Sequence, residues 1–391
     1  MTRRFPYWLI ALLMVIGVGF AAPSATAATA PWKPRPAVVT VTAGPSALPD
    51  GRTSLTIAGL DLHDAQLYQS GGLYYMVGTM YGCGYEWYIA GTPWCGFGVS
   101  TAASLAGPWT TPQLLFSPSS VDPSTGYTWQ QICGTQTGQG CFNPRFVQRT
   151  GWGYDDGVWI LWFNAPRQYS LGAAHAYNVM GCNGPAGPCG PTAGAPSGSY
   201  NKPSLDLCAG ANGDFGMISS GQGGRPAVVC TKAGAASLAL QELNWSGSGG
   251  SAGVGVSAVA GLTKVEGPGG WWDAEAGRYV LTFSDPGCGY CAGSPAGYAT
   301  APSMLTGWSY PANVGWGYPA NGRRLFSPNS CGGQVRTVSV LDGKPWQVLD
   351  LWLGTRNETA AKTLLVPLAY TETPGTAGDG NVWRPPLTLE C

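Results

Sequence analysis

Five segments of the chain share one pattern of polar and hydrophobic positions. A polar residue begins a short apolar strand, a turn follows, and a second strand rich in aromatic and aliphatic residues comes next. The polar residues that begin the five copies are Asp64, Asn143, Asp214, Glu266 and Gln334. Short strands joined by turns and repeated at this interval are typical of propeller blades around a central channel. We therefore predict an all-β fold, a five-bladed β-propeller.

A second repeat supports this interpretation. The segment Thr101–Leu105 precedes Trp109, and the similar segment Thr300–Met304 precedes Trp308, at a constant offset of 199 residues. A β-sandwich with ordinary alternation is the alternative fold, but the number of repeats favours the propeller. In a propeller, the starts of the inner strands meet at one mouth of the channel, so the five polar residues are expected to lie together.

Composition agrees with a fold made of turns and limits the possible partners. The 391 residues include 60 Gly and 32 Pro, yet also 17 Trp, 18 Tyr and 10 Phe, and disordered chains are poor in aromatic residues. Only 10% of residues are charged and the formal net charge is zero. Nucleic acid is therefore excluded as a partner, because no basic surface exists to neutralise phosphates. A neutral, aromatic-rich surface suits neutral sugars better.

The N-terminus predicts export. Arg3 and Arg4 precede an apolar run from Trp8 to Ala22, and Ala-x-Ala sites follow within residues 1–30, which is the pattern of a secretory signal peptide. A membrane anchor is the alternative, but about 15 apolar residues are fewer than the ~20 needed to span a bilayer. We expect a secreted, extracellular monomer without membrane contact after signal removal. Residues 31–55 are a Pro/Thr/Ala-rich lead-in, and residues 56–391 form the propeller.

The chain contains 12 Cys, all beyond the predicted signal. An even number in an exported protein indicates disulfides. Proximity along the chain suggests the pairs Cys83/Cys95, Cys133/Cys141, Cys182/Cys189, Cys208/Cys230, Cys288/Cys291 and Cys331/Cys391. Zinc binding by the Cys-x-x-Cys motif at Cys288 is the alternative, but the chain has two His and no second such motif. No metal and no cofactor are expected.

Carboxylates are scarce, yet three of the five blade starts carry one. Hydrolysis of a glycosidic bond needs an acid that protonates the leaving oxygen and a carboxylate that activates water or attacks directly. A third carboxylate near the acid raises its pKa and keeps it protonated near neutral pH. Asp64, Asp214 and Glu266 are therefore the candidate catalytic residues. Asp61 is the competing candidate for the role of Asp64, and Asp206 is the competing candidate for the role of Asp214.

These motifs resemble those of the five-bladed glycoside hydrolases of family 43, over roughly residues 55–390. His63-Asp64-Ala65, with Tyr74-Tyr75 ten residues after the Asp, resembles the family's opening motif, whose Asp is the general base. Asp214-Phe-Gly-Met-Ile resembles the segment whose Asp orients the acid and tunes its pKa. Val265-Glu266-Gly267-Pro268 resembles the motif of the general acid. The resemblance implies hydrolysis with inversion, and carboxyl groups about 6.5–9.5 Å apart.

The C-terminal third resembles the exo-β-1,3-galactanase branch of that family, through Gln334-Val-Arg-Thr337 and Asp350-Leu-Trp352. That branch generally lacks the first-blade Asp, which is present here, and has Glu-Arg-Pro where this chain has Asn143-Pro144-Arg145. Arabinofuranosidase-like activity therefore stays open beside galactanase-like activity. A non-catalytic carbohydrate-binding propeller and a retaining fructan-cleaving enzyme are the further alternatives.

Substrate contacts are expected from polar and aromatic residues near the channel mouth. Gln334 and Asn143 are candidate sugar or water ligands, and each could instead have a structural role. Tyr85, Trp87 and Trp94 lie in the loop between Cys83 and Cys95, which follows the first blade and is a candidate sugar platform.

Overall fold

Five antiparallel sheets follow one another along the chain in the computed structural model. The structure describes residues 38–152, 155–190, 202–221, 223–234, 236–257, 262–308, 325–370, 387–389 and 391. The predicted signal peptide, residues 1–30, lies outside them. No helix in these described ranges is long and apolar enough to cross a membrane.

The fifth sheet joins the two ends of the described chain. Its strands are β1 Thr40–Ala47, β2 Thr53–Ala58, β18 Gln334–Leu341, β19 Lys344–Leu351, β20 Lys362–Tyr370 and β21 Leu387–Leu389. They lie in the order β1-β2-β20-β19-β18, and β21 pairs with β20. Leu55 of β2 lies opposite Leu365 of β20. Because a strand from the start of the chain completes the last blade, hydrogen bonds close the ring.

This closure corrects the predicted boundary between lead-in and propeller. Residues 31–55 were expected to precede the fold, but β1 and the first half of β2 lie within that segment and belong to the fifth sheet. The alternation of Thr53–Ala58 places Leu55 and Ile57 against the sheet core. The Pro- and Thr-rich composition of the segment concealed this strand pattern.

The other four sheets each form one blade. The first contains β3 His63–Ser70, β4 Leu73–Thr79, β5 Phe97–Ala102 and β6 Gln113–Leu114. The second contains β7 Phe142–Gln148, β8 Trp159–Asn164 and β9 Tyr177–Cys182. The third contains β10 Phe215–Ile218, β11 Ala227–Lys232, β12 Ser237–Leu243 and β13 Gly250–Ser257. The fourth contains β14 Glu266–Asp273, β15 Arg278–Ser284, β16 Ala296–Ala301 and β17 Leu325–Ser327. The five-bladed β-propeller is confirmed.

Helical structure is confined to short turns among the described residues. They are a π-helical turn at Gln131–Thr135, an α-helix at Pro166–Ser170 and a 3₁₀ turn at Ser330–Gly332. The short helices lie in connections between strands, as expected for a chain rich in Gly and Pro.

The blades are held together by aromatic and aliphatic side chains packed between neighbouring sheets. Between the first and second blades, Phe97, Trp129 and Phe163 are fully buried in one cluster, with ring centroids 5.1–5.3 Å apart along the contacts to Phe163. Such large buried side chains supply most of the apolar area that stabilises a fold. The high aromatic content is therefore used mainly in the inter-blade core.

The repeat at offset 199 has a structural counterpart. Both copies follow the third strand of a blade, β5 in the first and β16 in the fourth. The indole N–H of Trp109 donates to the carbonyl of Leu105, and that of Trp308 donates to the carbonyl of Met304. The same tryptophan turn therefore closes the third strand of two blades.

All six predicted disulfides are present. Cys288 and Cys291 are bonded to each other, which removes them as zinc ligands. Cys331–Cys391 ties the end of the chain to the residues just before β18. No described group of His, Cys, Asp and Glu has the arrangement of a metal site.

Candidate active site

Four of the five inner strands begin with an irregularity in the pairing to their neighbour. The register shifts lie between His63 and Gln66, Phe142 and Arg145, Glu266 and Gly269, and Val335 and Val338. Such bulges bend a strand and re-aim its side chains. Asp64 and Asn143 both adopt a φ of 55° at these bulges, a conformation that Asp and Asn tolerate better than most residues. The bulges turn the blade-start side chains toward the channel.

The five predicted blade-start residues form two hydrogen-bonded groups. The Asn143 backbone N–H donates to Asp64 Oδ2 at 2.6 Å, and its side-chain amide donates to Asp214 Oδ1 at 3.0 Å. On the other side of the channel, the Gln334 amide donates to Glu266 Oε1 at 2.7 Å. The structure therefore brings together residues that are up to 270 positions apart in sequence, between Asp64 and Gln334.

Arg336 links three carboxylates at the centre of this group. Its guanidinium donates to Asp64 Oδ1 at 2.5 and 2.7 Å and to Asp214 Oδ2 at 2.8 Å, and it lies 3.6 Å from Asp350. Burial alone would lower the pKa of Arg336, but the three carboxylates raise it well above its ordinary value. Arg336 therefore remains a fixed positive charge beneath the cavity.

Arg336 and Arg145 were missed by the sequence analysis. Each follows a blade-start residue by two positions, Gln334 and Asn143 respectively, and each is nearly fully buried. A signal was present, because an arginine inside an apolar inner strand is unusual in a chain with so few charges. Buried arginines need anionic or carbonyl partners, and here the partners include Asp64.

Glu266 has the environment of a protonated acid. Burial, and after it the Asp214 charge, raise the pKa of Glu266 to about 7. The Arg336 charge, the backbone N–H of Cys288 and the amide of Gln334 act in the opposite direction. A carboxyl group with a pKa of about 7 is about half protonated at pH 7, so a substantial fraction of it can act as a general acid near neutral pH.

Asp214 lies immediately before β10 and is the most accessible carboxylate bound to Arg336. Its side chain is 22% exposed, compared with 2% for Asp64. It accepts from Arg336 and Asn143 and raises the pKa of Glu266 through its charge. This is the effect that the sequence analysis assigned to Asp214.

Asp64 is held more tightly than its predicted role as base would suggest. Its Oδ1 accepts three bonds from the guanidinium groups of Arg336 and Arg145, and its Oδ2 accepts the backbone N–H of Asn143. A carboxylate has about four lone-pair positions, two on each oxygen. Oδ2 therefore keeps one position for a further donor such as a water.

The competing carboxylates do not reach the cavity. Asp61 accepts the backbone N–H groups of Tyr81 and Gly82, at 2.9 and 2.7 Å, and so fixes the chain after β4. It also lies 3.3 Å from the buried His63 ring. Asp206 is exposed and does not line the cavity.

The cavity has a volume of about 190 Å³ and lies over the blade-start residues. It is lined by charged and amide groups together with a larger aromatic surface. The lining residues are Asp64, Tyr81, Trp87, Phe142, Asp214, Glu266, Gly289, Tyr290, Gln334, Arg336 and Trp352. Aromatic faces beside a few directed polar groups are typical of a small-molecule site.

Asn143 does not line this cavity, which corrects its predicted role as a substrate ligand. Asn143 is 1% exposed. Its side-chain nitrogen donates to Asp214, and its side-chain oxygen accepts a hydrogen bond from Arg145. It acts on the site by positioning Asp214. Gln334 does line the cavity. Its side-chain oxygen accepts from the Trp352 indole N–H at 2.8 Å, and its side-chain nitrogen donates to Glu266 and to the Cys288 carbonyl.

Only one of the three aromatic residues predicted as a sugar platform reaches the cavity. Trp87 lines it, but Tyr85 and Trp94 are buried at 0% and 1% exposure. The Tyr85 hydroxyl donates to the Gly138 carbonyl, and the Trp94 indole donates to the Cys141 carbonyl. The disulfide-closed loop folds back on the first two blades, so these two residues belong to the core.

The sequence analysis did not select four aromatic residues that line the cavity, Tyr81, Phe142, Tyr290 and Trp352. Tyr290 lies within the ring closed by Cys288 and Cys291, and its hydroxyl is 2.8 Å from that of Tyr81. Its ring centroid is 4.9 Å from that of Trp352. A Tyr between two cysteines in a Gly-rich loop gave no strand pattern, so its position depends on tertiary packing.

Comparison with solved structures finds the same fold in glycoside hydrolases. An exo-β-1,3-galactanase from Phanerochaete chrysosporium, solved with β-1,3-galactotriose, aligns with 84% of this chain and 64% of its own, at 15% identity and a TM-score of 0.56. A putative exo-β-1,3-galactanase from Bifidobacterium bifidum aligns with 90% of this chain and 96% of its own, at 14% identity and a TM-score of 0.57. A family 43 β-1,3-galactosidase, solved with galactodeoxynojirimycin, aligns over 85% and 96%, at 14% identity and a TM-score of 0.59.

This similarity confirms the resemblance to family 43 propellers at the level of the fold. The chain spans about 64% of the length of the Phanerochaete protein. No protein-family model matches the sequence. No curated protein matches it either.

Proposed function

We propose that this protein is a secreted, inverting glycoside hydrolase that acts on galactose- or arabinose-containing polysaccharide. The observation that carries the proposal is Glu266, a half-buried carboxyl group whose pKa is raised to about 7 beside Asp214, in an aromatic-lined cavity. The solved structures with this fold include exo-β-1,3-galactanases and a β-1,3-galactosidase, which supports galactose as the first sugar to test.

In the proposed reaction, Glu266 protonates the glycosidic oxygen of the leaving group. Asp214 keeps Glu266 protonated through its charge, and Asn143 and Arg336 hold Asp214 in place. The Gln334 amide and the Cys288 N–H fix Glu266 Oε1, which leaves its other oxygen to carry the proton toward the substrate. A general acid held in this way contributes roughly 10²–10⁴ to the rate.

Asp64 is the proposed base, as the sequence motif implies. Its Oδ2 would hold the attacking water through the one lone-pair position that the Asn143 N–H leaves free. Attack from the face opposite the leaving group inverts the anomeric carbon. Arg336 joins Asp64 to Asp214, so one guanidinium orients both carboxylates.

Export and a monomeric state are part of the same proposal. Six disulfides suit an oxidising compartment, since cytosolic reductants keep most thiols reduced. The signal sequence predicted within residues 1–30 would provide the route.

A carbohydrate-binding propeller without activity is the second candidate. It is favoured by the four hydrogen bonds on Asp64, because they leave only one lone-pair position for the water that a base must hold. A binding protein would, however, have no use for a carboxyl group whose pKa is raised to about 7.

The two candidates are separated by incubating the protein with β-1,3-galactan, arabinogalactan and arabinan in parallel. Release of reducing sugar, with a first product of inverted anomeric configuration in ¹H NMR, is expected for at least one of them. Binding without release would favour the carbohydrate-binding protein, and a product of retained configuration would exclude the inverting mechanism.

A further inference from the structure

A second cavity of about 480 Å³ adjoins the first one and is not used by the proposed chemistry. It is lined by Trp87, Tyr88, Gly289, Tyr290 and the segment 354–356. Trp87, Gly289 and Tyr290 line both cavities, so they form the boundary between them.

A continuous row of aromatic rings leads from the first cavity into the second. Along the row Trp352, Tyr290, Trp87 and Tyr88, neighbouring ring centroids are 4.9, 4.8 and 4.6 Å apart. Exposure rises from 5% at Trp352 to 55% at Tyr88. The row therefore begins beside the candidate acid and ends at the surface.

The position of Glu266 indicates which part of a substrate this aromatic row would contact. Tyr290 and Gly289 follow Cys288, whose backbone N–H donates to Glu266. A general acid lies on the leaving-group side of the bond that it cleaves, because it protonates the leaving oxygen. The second cavity is therefore on the side where the released part of the substrate would lie.

Contacts between the first and fifth blades hold the row in place. The backbone N–H of Trp87 donates to the Arg356 carbonyl at 2.9 Å, and the Arg356 guanidinium donates to the Trp87 carbonyl at 3.3 Å. The Asn357 amide donates to the carbonyls of Tyr81 and Tyr85 at 3.2 and 2.8 Å. Two disulfides, Cys83–Cys95 and Cys288–Cys291, close the loops that carry the aromatic residues. A surface fixed in this way loses little entropy when a ligand binds.

We propose that the second cavity is a leaving-group subsite for a neutral oligosaccharide or polysaccharide, in which Trp87 and Tyr88 stack on the sugar units beyond the cleaved bond. The inference rests on the proposed hydrolase function. Aromatic rings bury the apolar faces of sugar rings, and six uncharged residues stand beside one arginine in this lining, which suits a neutral chain. The subsite makes a polymer a better substrate than a single sugar with a small leaving group.

Tyr88→Ala tests the subsite, since Tyr88 lines only the second cavity and is exposed, so its removal spares the core. The readout is the ratio of kcat/KM for β-1,3-galactan oligosaccharides to kcat/KM for p-nitrophenyl β-galactoside. We expect this ratio to fall by about three- to tenfold in Tyr88→Ala and to be restored in Tyr88→Phe, which keeps the ring. Tyr169→Ala, which removes an exposed tyrosine outside both cavities, should keep the wild-type ratio.

The outcomes separate this inference from the proposed function. If the wild-type protein hydrolyses these substrates but the ratio is the same in Tyr88→Ala, the subsite proposal is wrong and the proposed hydrolase function is retained. If the wild-type protein hydrolyses no glycan, the function and the subsite both fail. An equal fall in Tyr88→Ala and Tyr169→Ala would also overturn the subsite.

Discussion

Gln334 donates its side-chain amide to Glu266 Oε1 across 2.7 Å, joining the starts of the fourth and fifth blades at the channel mouth. The same nitrogen donates to the Cys288 carbonyl at 2.6 Å, and the Cys288 N–H donates back to Glu266. The candidate acid is thus held by one side chain and by the loop that carries Tyr290. Its proton affinity depends on these neighbours as well as on burial, which makes the site testable through pH profiles.

Gln334→Leu should move the alkaline limb of the pH–rate profile to higher pH. The amide of Gln334 stabilises the charged form of Glu266 and lowers its pKa, so the loss of this amide raises that pKa. The measurement is kcat/KM against pH. Gln347→Leu is the control, because Gln347 is an equally buried glutamine of the same blade that bonds only backbone carbonyls. An equal shift in both variants would show a general loss of structure instead.

Asp214→Asn should move the same limb in the opposite direction. The negative charge of Asp214 raises the pKa of Glu266, so a neutral side chain lowers that pKa and leaves Glu266 ionised at neutral pH. We expect kcat/KM at pH 7 to fall by more than about tenfold, with partial recovery at acid pH. Asp206→Asn removes an exposed carboxylate outside the cavity and should leave the profile in place. An unmoved limb in Asp214→Asn would contradict the role of its charge.

Arg336→Met should destabilise the fold. The variant keeps a long side chain but leaves Asp64 and Asp350 buried without their shared cation. Breaking a buried ion pair by removing one partner costs about 3–5 kcal/mol. Urea unfolding followed by tryptophan fluorescence measures this free energy. Arg225→Met is the comparison, since its pair with Glu242 is more exposed and should cost less. Equal losses in the two variants would argue against a special role for Arg336.

Trp94→Ala and Trp87→Ala should have different effects, although both residues lie in the loop between Cys83 and Cys95. Trp94 is packed in the core, and its removal should cost about 3–5 kcal/mol of stability. Trp87 lines both cavities, and its removal should raise KM for polymeric substrate. Thermal unfolding and steady-state kinetics measured on both variants test the assignment. A large stability loss in Trp87→Ala with unchanged KM would contradict it.

The starts of the blades were predictable because each combines two signals, a polar residue and an aromatic strand close behind it. Asp64, Asp214 and Glu266 were found in this way, and the structure places all three on the cavity wall. The disulfide pairs followed from proximity along the chain. These features depend on residues that are close together in the sequence, so they can be recognised without knowledge of the fold.

The remaining parts of the site depend on contacts between distant segments. Trp87 and Trp94 look alike in sequence, and only the fold of their loop places Trp87 at the cavity wall and Trp94 in the core. Arg336 carried a signal, a charge within an apolar strand, but its partners come from the first and third blades. The strand Thr53–Ala58 pairs with β20 from the far end of the chain, so no nearby residue revealed its place in the sheet.

Reducing-sugar release by Glu266→Gln, compared with wild type on the polysaccharide that the wild type cleaves, tests the central claim most directly. Glutamine keeps the shape of the side chain but has no acidic proton. We expect kcat to fall by at least about 10²-fold, while circular dichroism and the unfolding midpoint stay within error of the wild type. Turnover at the wild-type rate by a folded Glu266→Gln protein would contradict the assignment of Glu266 as the general acid.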